Sequence, residues 1–201
     1  WGVVAGRAVD TIRDLLTRNR RLKQAISRLT RQEQIGYAKV LKKERVDGEI
    51  HTTLKFVETA RGNKRRQVLE KVYTVRGDTI HFDALIVKFD DRLVMDNKQR
   101  ALYLWRRVYG EHQAPAEGFP IESPGEKPRR YEDLLEELPV KQQEMFWDAV
   151  WQLANDPDTL AEHGITAMYG NVVYAKLEKG LIYVFKINDT GQVYPEVVPD
   201  M

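Results

Sequence analysis

Residues 49–89 read EIHTTLKFVETARGNKRRQVLEKVYTVRGDTIHFDALIVKF, and this stretch decides the fold class. Apolar and polar residues alternate along it with period two, the spacing of a half-buried strand. Turn residues punctuate it: Asp47-Gly48 just upstream, then Arg61-Gly62-Asn63-Lys64, then Gly77-Asp78. Asp-Gly between alternating runs is a strong hairpin signal. Strands are predicted over 37–46, 49–60, 65–76 and 79–89, followed by 92–95 and 100–109. Residues 35–110 therefore read as an antiparallel β-meander in sequence order, either an open sheet or a small barrel.

The turns imply a register. With Ala60 opposite Arg65 and Arg76 opposite Thr79, one face carries Ile50, Leu54, Phe56, Leu69, Tyr73, Val75, Ile80, Phe82, Ala84 and Ile86, a core. The other face carries Val57, Val68 and Val87 in one row, and His51, Thr74 and His81 in another. Asp83 shares the face of His81. The polar cluster His51, Thr74, His81 and Asp83 suits a metal, a small anion or acid–base work. Against that stands the plain end of a half-exposed sheet, since a metal needs three or four ligands in consistent geometry. Arg61, Lys64, Arg65 and Arg66 make the hairpin tip a candidate anion-binding site. Nucleic acid is disfavoured there, because no exposed aromatic accompanies the charges for base stacking.

Upstream, residues 8–34 read as one helix without internal Gly or Pro. Apolar residues recur at spacings of four and three. Ile12, Leu15, Asn19, Leu22, Ile26 and Leu29 fall on alternating a and d positions of a heptad. Ile at a, Leu at d and one Asn at a suit a parallel two-stranded coiled coil. The flanks are basic, with Arg18 at g facing Lys23 at e of a second copy. The expected partner is thus a second copy of the chain or, better matched, a helix with acidic flanks. A basic-zipper DNA reader does not fit, since its basic arm precedes the zipper. The chain begins Trp1-Gly2-Val3-Val4-Ala5-Gly6-Arg7. Two readings stay open there: the edge of a removed membrane anchor or signal segment, with Trp at the interface, or a trimmed tail.

Downstream, residues 111–128 hold four of the eight prolines and form an extended bridge. Helices are predicted over 131–138, 140–154 and 157–163, the last with Asp156 as N-cap and Pro157 at its first turn. Trp147 and Trp151, four apart, fit core or interface packing better than cofactor stacking. Strands close the chain over 171–177, 181–187 and 192–198, with Tyr169-Gly170-Asn171 as a turn.

The whole is an α+β protein: a coiled-coil-like N-terminal helix (1–34), then one head (35–201) with the closing helices and β-hairpin packed on the meander. In its 201 residues the net charge of +2 hides a split. Residues 1–34 carry +5, 35–110 carry +7 and 111–201 carry −10. Absence of cysteine excludes disulfides, thiolate metal sites and a cysteine nucleophile. No Walker A, dinucleotide-binding, HExxH or GxSxG pattern occurs, and no cofactor or metal set is identified. The expectation is a non-enzymatic, membrane-tethered interaction or assembly protein that associates through its N-terminal helix. Its layout is similar to that of bacterial envelope assembly proteins. The alternatives are an anionic-surface or nucleic-acid binder using the helix and residues 61–66, and a ligand-binding or hydrolytic domain around His51 and His81. An Arg-rich flank after a span favours the cytoplasmic side; absence of cysteine fits either, and an extracytoplasmic head is the side taken.

Overall fold

The computed structural model describes residues 2–29, 33–89, 100–153, 165–188 and 192–201, with backbone alone at 2–5 and 166–172. Among these are three α-helices: α1 (Gly2–Arg18), α2 (Arg20–Ser27) and α3 (Val140–Leu153). Nine strands form two antiparallel sheets: β1 (Glu33–Val46), β2 (Glu49–Ala60), β3 (Asn63–Arg76), β4 (Thr79–Phe89), β5 (Arg100–Gly110), β6 (Phe119–Pro120), β7 (Ile165–Lys176), β8 (Leu181–Ile187) and β9 (Val193–Pro199). One sheet has the order β3-β2-β1-β8-β9 and the other β6-β5-β4-β7. The chain divides into two compact units. One comprises 1–31, 85–104 and 123–170; the other comprises 32–84, 105–122 and 171–201.

The α+β class and the antiparallel sheet agree with the sequence, but the meander ends at β3. Both Asp47 (φ 49°) and Gly48 (φ 86°) adopt the left-handed conformation that a tight β1–β2 hairpin requires. The β2–β3 turn is tighter than expected, with Ala60 opposite Asn63 and bulges at Glu58–Ala60. Beyond those bulges Val57 faces Glu70 and His51 faces Arg76. This is a slip of two residues from the expected register, so each side chain keeps its face.

Gly77-Asp78 is a corner between sheets instead of a hairpin. The Arg76 N–H donates to Gln113 Oε1, and Glu111 N–H donates to Thr79 O. Glu111 Oε1 accepts from the N–H groups of Asp78 and Thr79, and Leu177 N–H donates to Asp78 O. The groups that would have joined β3 to β4 are taken by residues following β5 and β7. At the corner Gly110 approaches so closely that an added Cβ would overlap Arg76 O. The closing hairpin β8–β9 completes the first sheet, with Tyr183 opposite Ala38 and Phe185 opposite Gly36. Among the described residues the strands are ordered as two sheets, with no closed barrel among them.

In the second unit Phe56 of β2, Phe82 of β4, Trp105 of β5 and Phe185 of β8 join the sheets face to face. Ring centroids lie 5.3 Å apart for Phe56–Trp105 and 5.0 Å for Phe82–Phe185. Of the two apolar residues of the bridge, Ile121 is buried and pins it, whereas Phe119 is exposed. Tyr73 donates to Pro120 O at 3.0 Å, and Lys71 to Ile121 O at 2.5 Å.

The first unit has its own core. Ile12, Leu16, Leu22, Ile26 and Leu29 from α1 and its continuation pack with Phe146, Val150 and Leu153 of α3 and with Leu85, Val87 and Phe89 of β4. Residues 131–138 are not an α-helix. A 3₁₀ turn at Arg129–Tyr131 leads into further turns, although Tyr131, Leu134, Leu135 and Leu138 are buried as an amphipathic pattern requires. The two tryptophans are core residues, and Trp151 Nε1 donates to Glu126 O at 2.7 Å. Residues 165–176 run as one strand through Tyr169-Gly170-Asn171, where a turn is expected from the sequence. The expected strand 92–95, the helix 157–163 and its cap Asp156 lie outside the described residues. No described helix is long and apolar enough to cross a membrane.

Candidate functional site

The predicted single N-terminal helix is two helices joined at Asn19. Asn19 has extended backbone (φ −122°, ψ 99°), and its side-chain oxygen accepts from the N–H groups of Arg21 and Leu22. That is N-cap geometry: it satisfies donors that the first turn of α2 would otherwise leave open. The amide nitrogen of the same side chain donates to Gln142 Oε1 on α3 at 2.6 Å. Asn19 therefore fixes an elbow and docks it on α3, where a coiled coil would use it to set register.

The seam shares this inward orientation. Ile12, Leu22, Ile26 and Leu29 are at most 3% exposed, and Leu15 is partly buried against the same core. Burying such a side chain stabilises by about 1.5–3 kcal/mol relative to exposure. Zipping with a second helix would first expose several of them, then merely restore the same burial. The physical reason for the discrepancy is plain: a heptad pattern does not distinguish a partner helix from the chain's own core.

What remains outward is basic. A cavity of about 500 Å³ opens at the elbow, lined by Leu16, Arg18, Arg20, Lys23 and Gln24 among others. Among the described residues Arg18 makes a 3.8 Å contact with Asp14, and its side chain is 81% exposed. Arg13 pairs with Asp10, and Arg28 with Glu137. Arg21 donates to Glu137 O. Among the described residues no carboxylate lies within ion-pair distance of Arg20 or Lys23. The elbow thus gathers three cations around a cavity with one long-range counter-charge. Such a place favours an anionic group.

The expected polar row does not assemble. Because β3 and β4 belong to different sheets, Thr74 and His81 are not cross-strand neighbours. Tyr73, Val75, Ile80 and Phe82 point inward, so Thr74 and His81 occupy the outer faces of opposite sheets. Thr74 instead shares a hydroxyl hydrogen bond of 2.9 Å with Thr53, and His51 stands opposite Arg76 and Glu44. His81 and Asp83 do stay together on β4, with partners the sequence did not single out. The His81 ring stacks on Tyr109 (4.7 Å, 5°) and meets Tyr174 at 4.6 Å. Asp83 accepts from Arg107 Nε at 3.0 Å and from the Tyr109 hydroxyl at 3.5 Å. This is a self-satisfied aromatic and ionic ladder across β5, β4 and β7. No group of three or more His, Cys, Asp or Glu able to hold a metal occurs among the described residues.

At the hairpin tip Gly62 (φ 70°) makes the turn, and its N–H donates to Glu33 Oε2. Lys64, Arg65 and Arg66 follow on β3, fully on the surface, while Arg61 is half-buried. Of the residues that matter here, Asn19 carried a readable signal: Asn directly before an apolar-periodic run is an N-cap signature as well as a heptad polar residue. Tyr109 and Tyr174, by contrast, carry no local signal linking them to His81.

No protein-family model, curated protein or solved structure matches this chain.

Proposed function

We propose that this protein is a non-enzymatic interaction module that engages a helical partner with acidic flanks through the outer side of its α1–α2 elbow. The observation supporting this most directly is the pairing of an inward apolar seam with an outward cavity rimmed by Arg18, Arg20 and Lys23. The apolar side of the segment is occupied, so a partner meets the charged side. Charge at such a rim governs encounter and salt dependence more than raw affinity.

The test is a titration of the full chain with a synthetic helix carrying glutamate at its e and g positions, followed by fluorescence anisotropy. The wild type is expected to bind, more weakly as salt is raised. The double variant Arg20→Glu, Lys23→Glu is expected to bind about tenfold or more weakly. Lys179→Glu, a charge reversal at an exposed residue outside the elbow, is expected to bind as the wild type does. Equal affinity in all three proteins would overturn the proposal.

A further inference from the structure

The five-stranded sheet has two unequal edges. At β9 the edge is blunted. Asp200 N–H donates to Gly180 O, so the residues in step with Asp200 face β8. Pro195, Val197 and Pro199 belong to the alternate set, and two of these three outward positions have no N–H to offer. Prolines so placed are a known defence against an added strand.

No such defence exists at β3. Gly77 N–H donates to Ile50 O, so residues 71, 73 and 75 face β2 in the ladder, while 70, 72, 74 and 76 face outward. Only the last outward N–H is taken, that of Arg76 by Gln113. Glu70, Val72 and Thr74 present unpartnered backbone groups at the edge among the described residues. Val72 is 55% exposed beside them. Further along the edge stand Lys64, Arg65 and Arg66, which have no carboxylate within ion-pair distance among the described residues. Lys and Arg discourage self-pairing of an edge, and they favour one occupant: an extended chain of opposite charge.

We propose that β3 is a strand-addition site for an extended acidic peptide segment. Its backbone pairs with Glu70, Val72 and Thr74, and its carboxylates lie along Lys64, Arg65 and Arg66. Main-chain hydrogen bonds supply the affinity in this mode, and flanking side chains the selectivity. The site is separate from the elbow and does not depend on it.

The test uses the full chain and a peptide of alternating glutamate and valine, which favours strand over helix. Val72→Pro removes an outward N–H without touching the β2 ladder. It is expected to keep the wild-type melting temperature and to bind about tenfold more weakly, as one or more hydrogen bonds are lost. An N-methylated twin of the peptide tests the same bonds from the partner's side should the proline variant not fold. Amide exchange is expected to show new protection at Glu70, Val72 and Thr74. Arg20→Glu, Lys23→Glu is expected to leave this binding unchanged, which separates it from the elbow. Binding that survives both Val72→Pro and N-methylation would overturn the proposal. So would edge protection arising without peptide as protein concentration is raised, or capture of DNA in preference to the peptide.

Discussion

Asn19 shows how one side chain can satisfy two patterns. Its place in the heptad suggests a register residue, and its place before Arg20-Arg21-Leu22 suggests a cap. The two are separated only by backbone conformation, which the structure supplies. The buried tyrosines illustrate a second residue-level effect. Burial pushes the Tyr73 and Tyr103 hydroxyls well above the ordinary tyrosine value, with neighbouring Tyr131 adding to the effect at Tyr103. Above about pH 10 the unfolded chain releases these protons and the folded chain does not. Their contribution to stability is therefore complete below that pH and is lost as pH rises beyond it. Tyr73→Phe and Tyr103→Phe are each expected to flatten the alkaline fall of melting temperature measured between about pH 9 and 11. An unchanged slope in both would show that neither hydroxyl stays protonated in the fold.

Elements were more legible than their pairings. Strand positions follow from alternation and turn residues, so β1 to β5, β8 and β9 stand close to where the sequence puts them. Neighbours are set by which backbone groups are intercepted, and the sequence does not show that Gln113 and Glu111 reach back to the Gly77-Asp78 corner. For this reason the His51–Thr74–His81 row could be written down but not built. Gly110 marks the same corner. Gly110→Ala is expected to destabilise by about 3 kcal/mol in urea unfolding, because its Cβ would overlap the Arg76 carbonyl. Gly6 lies in α1, where an added methyl group would meet nothing within 4 Å. Gly6→Ala is expected to stabilise by about 0.5–1 kcal/mol through helix propensity alone. The opposite signs make the pair self-controlling: two destabilisations of equal size would refute the distinction between crowded corner and open helix face.

At the scale of the whole molecule, a net charge of +2 conceals a basic N-terminal segment and an acidic C-terminal one. The sequence revealed that split, but not how the first segment uses its two sides. Ile12, Leu22, Ile26 and Leu29 are committed to the chain's own core, which leaves Arg18, Arg20 and Lys23 around the elbow cavity for a partner. The elbow's outward charge is available to a partner only because the seam faces inward. Thermal unfolding of Asn19→Leu at two protein concentrations tests that orientation most directly. An inward, capped elbow predicts a melting temperature lowered by about 2–8 °C, from about 1–2 kcal/mol of lost capping, with a midpoint independent of concentration. A melting temperature that rises, and rises further with protein concentration, would be the behaviour of a zipped seam between two copies and would contradict it.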